Sequence, residues 1–145
     1  VLATAAVADL TQIYLPAGEG REDRIRRWSD ATGVGFRRCQ LRTIRPGVRE
    51  VSEAEISEAE FSALAHLARD LGDGRRPVVK RRWSFRIDNQ TFELDAISEP
   101  AGRACLIVEI QLRTESEAVV LPDFLPVARE VTGEVRYSNA DISRG

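Results

Sequence analysis

The sequence predicts an α+β domain whose antiparallel sheet is long enough to curl or close, and three observations carry that prediction. Val78–Leu112 alternates so strictly that three successive segments would each carry charge on one side and hydrocarbon on the other. A helix signal opening at Ser57 separates this region from an earlier run of strand-like segments. The chain of 145 residues, 43% hydrophobic and 30% charged, suits a single soluble domain over 1–145 with a real core.

In the alternating region Lys80, Arg82, Ser84 and Arg86 would share one face, and Arg81, Trp83, Phe85 and Ile87 the other. Thr91, Glu93 and Asp95 oppose Phe92, Leu94 and Ala96 in the same way. Ile107, Glu109 and Gln111 oppose Leu106, Val108, Ile110 and Leu112. The apolar sides can pack on helices. The charged sides cannot make a dry core, because unpaired buried charge is strongly unfavourable, so they are expected to meet water or a ligand.

The earlier elements follow from local chemistry. Val1–Leu10 is Ala-rich and has no caps of its own. Thr11–Leu15 reads as a short strand ended by Pro16 and the Gly18/Gly20 loop. Arg21–Trp28 places Arg24, Arg26 and Trp28 opposite Ile25, a pattern that a solvated edge strand would share. Val34–Thr43 groups Phe36, Arg38, Gln40 and Arg42, and Pro46-Gly47 turns it into Val48–Ile56 as a hairpin. Ser57-Glu58-Ala59-Glu60 is a capping box. Phe61, Leu64, Ala65, Ala68 and Leu71 then recur at helical spacing before Gly72 as a stop. After the central strands, Leu121–Pro126 reads as a connection, Val131–Tyr137 as a last strand, and Ser138–Arg144 as a short helix or tail.

Charge and composition narrow the function. Lys plus Arg is 21 and Asp plus Glu is 23, so a net charge of −2 implies no general attraction to nucleic acid or anionic membrane. Any anion site must be local. No segment has the ~20 apolar residues of a membrane span, and Val1–Leu10 lacks the basic start of a secretory signal, so a cytoplasmic location is expected. Cys39 and Cys105 have neither zinc nor CxxC spacing and are expected to be free thiols. His66, the single histidine, falls beside the apolar stripe of the helix, which argues against Ser–His or multi-histidine zinc chemistry. Gly33-Val34-Gly35 is too short for a phosphate loop. Lys80 is the only lysine beside twenty arginines, notable because a compact ammonium acts as a point charge where a guanidinium acts as a fork.

Lys80-Arg81-Arg82-Trp83, Phe92-Glu93-Leu94-Asp95, Val108-Glu109-Ile110-Gln111-Leu112, Glu130-Val131-Thr132-Gly133 and Arg136-Tyr137-Ser138-Asn139 follow one another in that order. Together with Thr11-Gln12-Ile13-Tyr14-Leu15 and Arg24-Ile25-Arg26, they resemble the successive motifs of the CYTH superfamily. These are the triphosphate tunnel metalloenzymes, which include class IV adenylate cyclases, thiamine triphosphatases and polyphosphatases. The likeness covers about residues 11–144 and implies an eight-stranded antiparallel barrel, closed or nearly closed, with flanking helices. It further implies that basic residues inside grip a triphosphate while glutamates hold Mg²⁺ or Mn²⁺.

By position, the resemblance assigns phosphate contacts to Arg24, Arg26, Lys80 and Arg82, with Arg42 and Arg49 joining them. It assigns metal binding to Glu109, with Glu53, Glu93 and Asp95 as the other acids, and makes Lys80 and Glu109 the catalytic pair. Those six basic and four acidic residues leave an inner charge of +2 in a net-negative chain. The pattern departs from the family in three places: its first strand has no counterpart in Val1–Leu10, Gln111 replaces a glutamate, and Val51 replaces an acid. The leading expectation is a tunnel that binds a triphosphate- or polyphosphate-type anion, with Mg²⁺-dependent hydrolysis if enough ligands remain. A non-catalytic phosphate or lipid-headgroup module and a repurposed barrel enzyme, such as a small biosynthetic cyclase, are the alternatives. A barrel short of a strand could also form a homodimer through its open edge.

Overall fold

The computed structural model describes residues 2–114 and 116–145; Val1, the first residue of the Ala-rich stretch, lies outside them. Its strands are β1 (Ala6–Leu15), β2 (Arg21–Asp30), β3 (Gly33–Arg45), β4 (Val48–Glu55), β5 (Val78–Ile87), β6 (Gln90–Glu99) and β7 (Cys105–Gln111). Two helices accompany them, α1 (Glu58–Leu71) and α2 (Asn139–Ile142). All strands join one antiparallel sheet in the order β4-β3-β2-β1-β5-β6-β7, curled into a half-barrel.

The barrel is open, which corrects the expectation of a closed or nearly closed eight-stranded tunnel. The last strand expected at Val131–Tyr137 does not form. Gly133 takes φ +80, the Val131 carbonyl accepts the Glu134 N–H at 3.0 Å, and the Glu134 carbonyl accepts the Tyr137 N–H at 3.0 Å. These short-range bonds make a turn and a 3₁₀ helix over Val135–Tyr137, so those groups are not offered to a neighbouring strand.

β1 begins at Ala6, earlier than the Thr11 expected from the sequence. Ala8 lies opposite Asp30 of β2 and Arg82 of β5. Pairing on both sides thus overrides the weak strand preference of alanine.

Ser57 starts α1 as the capping box requires. Its hydroxyl accepts the Glu60 N–H at 3.1 Å, and the Glu60 carboxylate accepts the Ser57 N–H at 2.7 Å. At the other end, Gly72 is needed for space rather than for a left-handed backbone. Its φ is −68, and a Cβ there would meet the Ala68 carbonyl oxygen at 2.1 Å. α1 lays Phe61, Leu64, Ala65 and Ala68 on Ile13, Leu15 and Ile25, forming the larger core on the outer face of the sheet. A second cluster lies on the inner face, where Ile142 of α2 meets Val78 and Ile97. Among the described residues no helix is long and apolar enough to cross a membrane.

Candidate functional site

Directly opposed residues in antiparallel strands share a face, so the pairing register defines the inner surface row by row. Arg24 lies between Tyr14 and Cys39, and Cys39 faces Glu53. Arg26 lies between Gln12 and Arg37. Lys80 is opposite Leu10, Arg82 is opposite Asp95, and Ser84, Glu93 and Glu109 form one row. The alternation read from β5, β6 and β7 therefore does gather their charges on one side.

At the centre is a buried network. Lys80 is 1% exposed and Asp95 2%. The Lys80 ammonium donates to Asp95 Oδ2 at 2.6 Å and to Asn139 Oδ1 of α2 at 3.3 Å. Arg82 reaches the same carboxylate through Nε at 2.6 Å and Nη2 at 2.8 Å, and its Nη1 lies 2.7 Å from Glu93. Burial alone would raise the Asp95 carboxyl, but the bonds and charges of Arg82 and Lys80 outweigh it and hold it below its ordinary value. Burial pulls Lys80 below the usual lysine range, and Arg82 and Arg26 add to this against the pull of Asp95.

Arg26, one strand beyond β1, is held differently. Its Nε and Nη2 donate to Gln12 Oε1 at 3.2 and 2.8 Å, and Gln12 Nε2 donates to the Tyr14 hydroxyl at 2.7 Å. Among the described residues no carboxylate pairs with Arg26, whereas Arg24 pairs with Glu22 at 3.1 Å and Arg82 with two acids. Burial, joined by the nearby Arg24 and Arg82 charges, lowers the Arg26 pKa. Positive charge is thus crowded there without a direct ion pair, the Asp95 carboxylate acting on Arg26 only from beyond ion-pair distance.

The predicted site residues divide. Arg24, Arg26, Lys80, Arg82, Glu93 and Asp95 come together, and Glu109 sits exposed at the margin of the same face. Arg42 does not join them. It lies opposite Arg21 on the outer face and pairs with Glu50 at 2.7 Å, because the β2–β3 register sets Arg37 rather than Arg42 beside the inner arginines. Arg49 is on the inner side but exposed near the β3–β4 turn, and Glu53 is held next to Cys39 on the edge strand. Nor is the expected excess spread over the face. Glu22, Glu55 and Asp30 also fall on it, so the positive surplus is local to Arg26.

The passage is also not clear along its length. α2 covers Lys80 with Asn139 and places hydrocarbon on Val78 and Ile97, so Lys80 is closed off while Arg24, Arg26 and Arg82 stay partly exposed and Arg37, opposite Arg26, is exposed.

The expected Mg²⁺ or Mn²⁺ set does not fit this donor arrangement. Asp95 is directed at Lys80 and Arg82, Glu93 at Arg82, and Glu53 lies on the far edge of the sheet. Among the described residues no three metal-binding side chains converge.

Both cysteines are free, and His66 is exposed with Nδ1 2.8 Å from Arg69 Nη2. A cleft of about 490 Å³ at the β1–β2 loop includes Glu22, Leu41, Arg42 and Glu50 but not the Arg26–Lys80 cluster. Another, of about 250 Å³, lies between Arg103, Cys105, Tyr137 and Ile142.

The half-barrel is similar to the PH1012 protein from Pyrococcus horikoshii OT3. That solved structure is 21% identical, with a TM-score of 0.51, over 75% of this chain and 63% of that one. The chain thus spans less than two thirds of the length of PH1012, and the likeness is one of fold. No family model and no curated protein matches the sequence.

Sequence reasoning passed over three polar groups of the site, Gln12, Tyr14 and Asn139. Gln12 and Tyr14 alternate with Ile13 in Thr11–Leu15, a signal that two polar side chains share a face opposite an apolar one. Asn139 had no such signal, because a four-residue helix reaches Lys80 only through tertiary packing.

Proposed function

We propose that the inner face of the half-barrel binds a triphosphate- or polyphosphate-type anion, with Arg26 at the centre and Arg24 and Arg82 beside it. One observation carries the reading: Arg26 is half-buried among like charges, bonded to a neutral amide, without a carboxylate of its own. Such an arrangement is unfavourable in isolation. A multivalent anion would relieve it through the forked contacts that guanidinium makes with phosphate. The ordered motifs that resemble the CYTH superfamily support the same ligand class.

Titration with tripolyphosphate, followed by calorimetry, tests the reading. Binding by the wild-type protein is expected, together with binding weaker by about tenfold or more in Arg26→Ala and Arg82→Ala. Equal affinity in both variants would exclude this site. Orthophosphate release in a parallel run with Mg²⁺ would add hydrolysis to binding; its absence would leave a binding module.

A further inference from the structure

We infer that Gln12 is a positioning residue whose neutrality keeps the charge of Arg26 available to an anion. The inference rests on the anion-binding reading and assigns to it a residue that makes no use of charge itself. Gln12 is fully buried, at 0% exposure, and its side chain is satisfied at both ends. Oε1 accepts two bonds from Arg26, and Nε2 donates to the hydroxyl of Tyr14, a ring that is itself buried. Tyr14 in turn lies directly opposite Arg24 across the β1–β2 pair. Arg26 and Arg24 are therefore linked through an amide and a phenol, with no acid between them.

A glutamate at position 12 would have the same length and could accept the same two bonds. It would also form a buried ion pair and cancel the charge that an incoming anion must meet. Asp95 does this for Lys80, with 2.6 Å between the charged atoms. The inner face thus carries two kinds of cation. Lys80 is neutralised by a carboxylate, whereas Arg26 is oriented by an amide and remains free to pair with a ligand.

The test is tripolyphosphate titration of the wild type, Gln12→Glu and Tyr14→Phe, each with its melting temperature in anion-free buffer. In Gln12→Glu the affinity should fall by roughly tenfold to a hundredfold, as expected for one added charge near the ligand at intermediate dielectric. Its melting temperature should hold or rise, because the new carboxylate pairs with Arg26. Relative to wild type, the deficit should narrow as the pH falls from about 7 toward the carboxylate range, where the new glutamate takes up a proton.

Tyr14→Phe keeps the ring and releases the Gln12 amide, so it should bind more weakly by severalfold; it supplies the test if Gln12→Glu does not fold. Wild-type binding with unchanged affinity in the folded variants would overturn this inference alone. Loss of affinity and melting temperature in parallel, with no pH dependence, would reduce Gln12 to a packing role and also overturn it. Failure of the wild type to bind tripolyphosphate would overturn the anion-binding reading and this inference with it.

Discussion

Asp95→Ala removes the carboxylate on which the buried network closes. Lys80 would retain only Asn139 Oδ1 at 3.3 Å, with its side chain 0% exposed, and Arg82 would retain Glu93. Breaking a buried pair from one side costs about 3–5 kcal/mol, most of it from the charge left behind. An independent bound agrees. Lys80 can escape by giving up its proton, and from a reference pKa of 10.5 this costs about 1.4 kcal/mol for each pH unit, or roughly 5 kcal/mol at pH 7. The loss in melting temperature should then be roughly 10–15 °C for a chain of this size.

The variant should also depend on pH more steeply than the wild type, in which Asp95 offsets part of the effect of burial on Lys80. A lysine whose folded-state pKa lies below its unfolded value binds more protons when unfolded, so stability rises with pH between the two values. Raising the pH from about 7 to about 9 should recover up to ~2.7 kcal/mol of the loss. Urea unfolding of both proteins at the two pH values measures this directly. A penalty below about 1 kcal/mol, or one that does not shrink with pH, would show that Lys80 is not held as a buried charge by Asp95.

Other consequences are simpler to check. Arg42→Ala should leave tripolyphosphate affinity unchanged, since Arg42 faces outward and pairs with Glu50; a loss matching that of Arg26→Ala would put the binding surface on the wrong side of the sheet. In the wild type, the Asp95 contribution is fully present above the unfolded carboxyl value near 3.8 and lost as the pH falls through its lower folded-state value. Acid titration of the melting temperature should therefore be steeper below about pH 4 in the wild type than in Asp95→Asn. Ser57→Ala should cost about 1 kcal/mol by removing one half of the capping box, read as a melting shift of a few degrees with anion binding unaltered.

The helix and the sidedness of individual strands were legible in the sequence because both rest on local geometry. The capping box satisfies amides within one turn, and period-2 alternation ties Lys80 to Arg82 and Glu93 to Asp95 whatever the surroundings. Alternation cannot say which side of the sheet a strand turns inward. That depends on register, and the β2–β3 register sent Arg42 outward and Arg37 inward.

Tertiary structure alone decided whether the barrel closed, because Val131–Tyr137 has strand-like residues but bonds to itself. It also decided which charges neutralise one another. Lys80 and Asp95 are fifteen residues apart and Arg26 and Gln12 fourteen, so each partnership is set by the register of a hairpin, β5–β6 or β1–β2, which alternation within one strand does not fix.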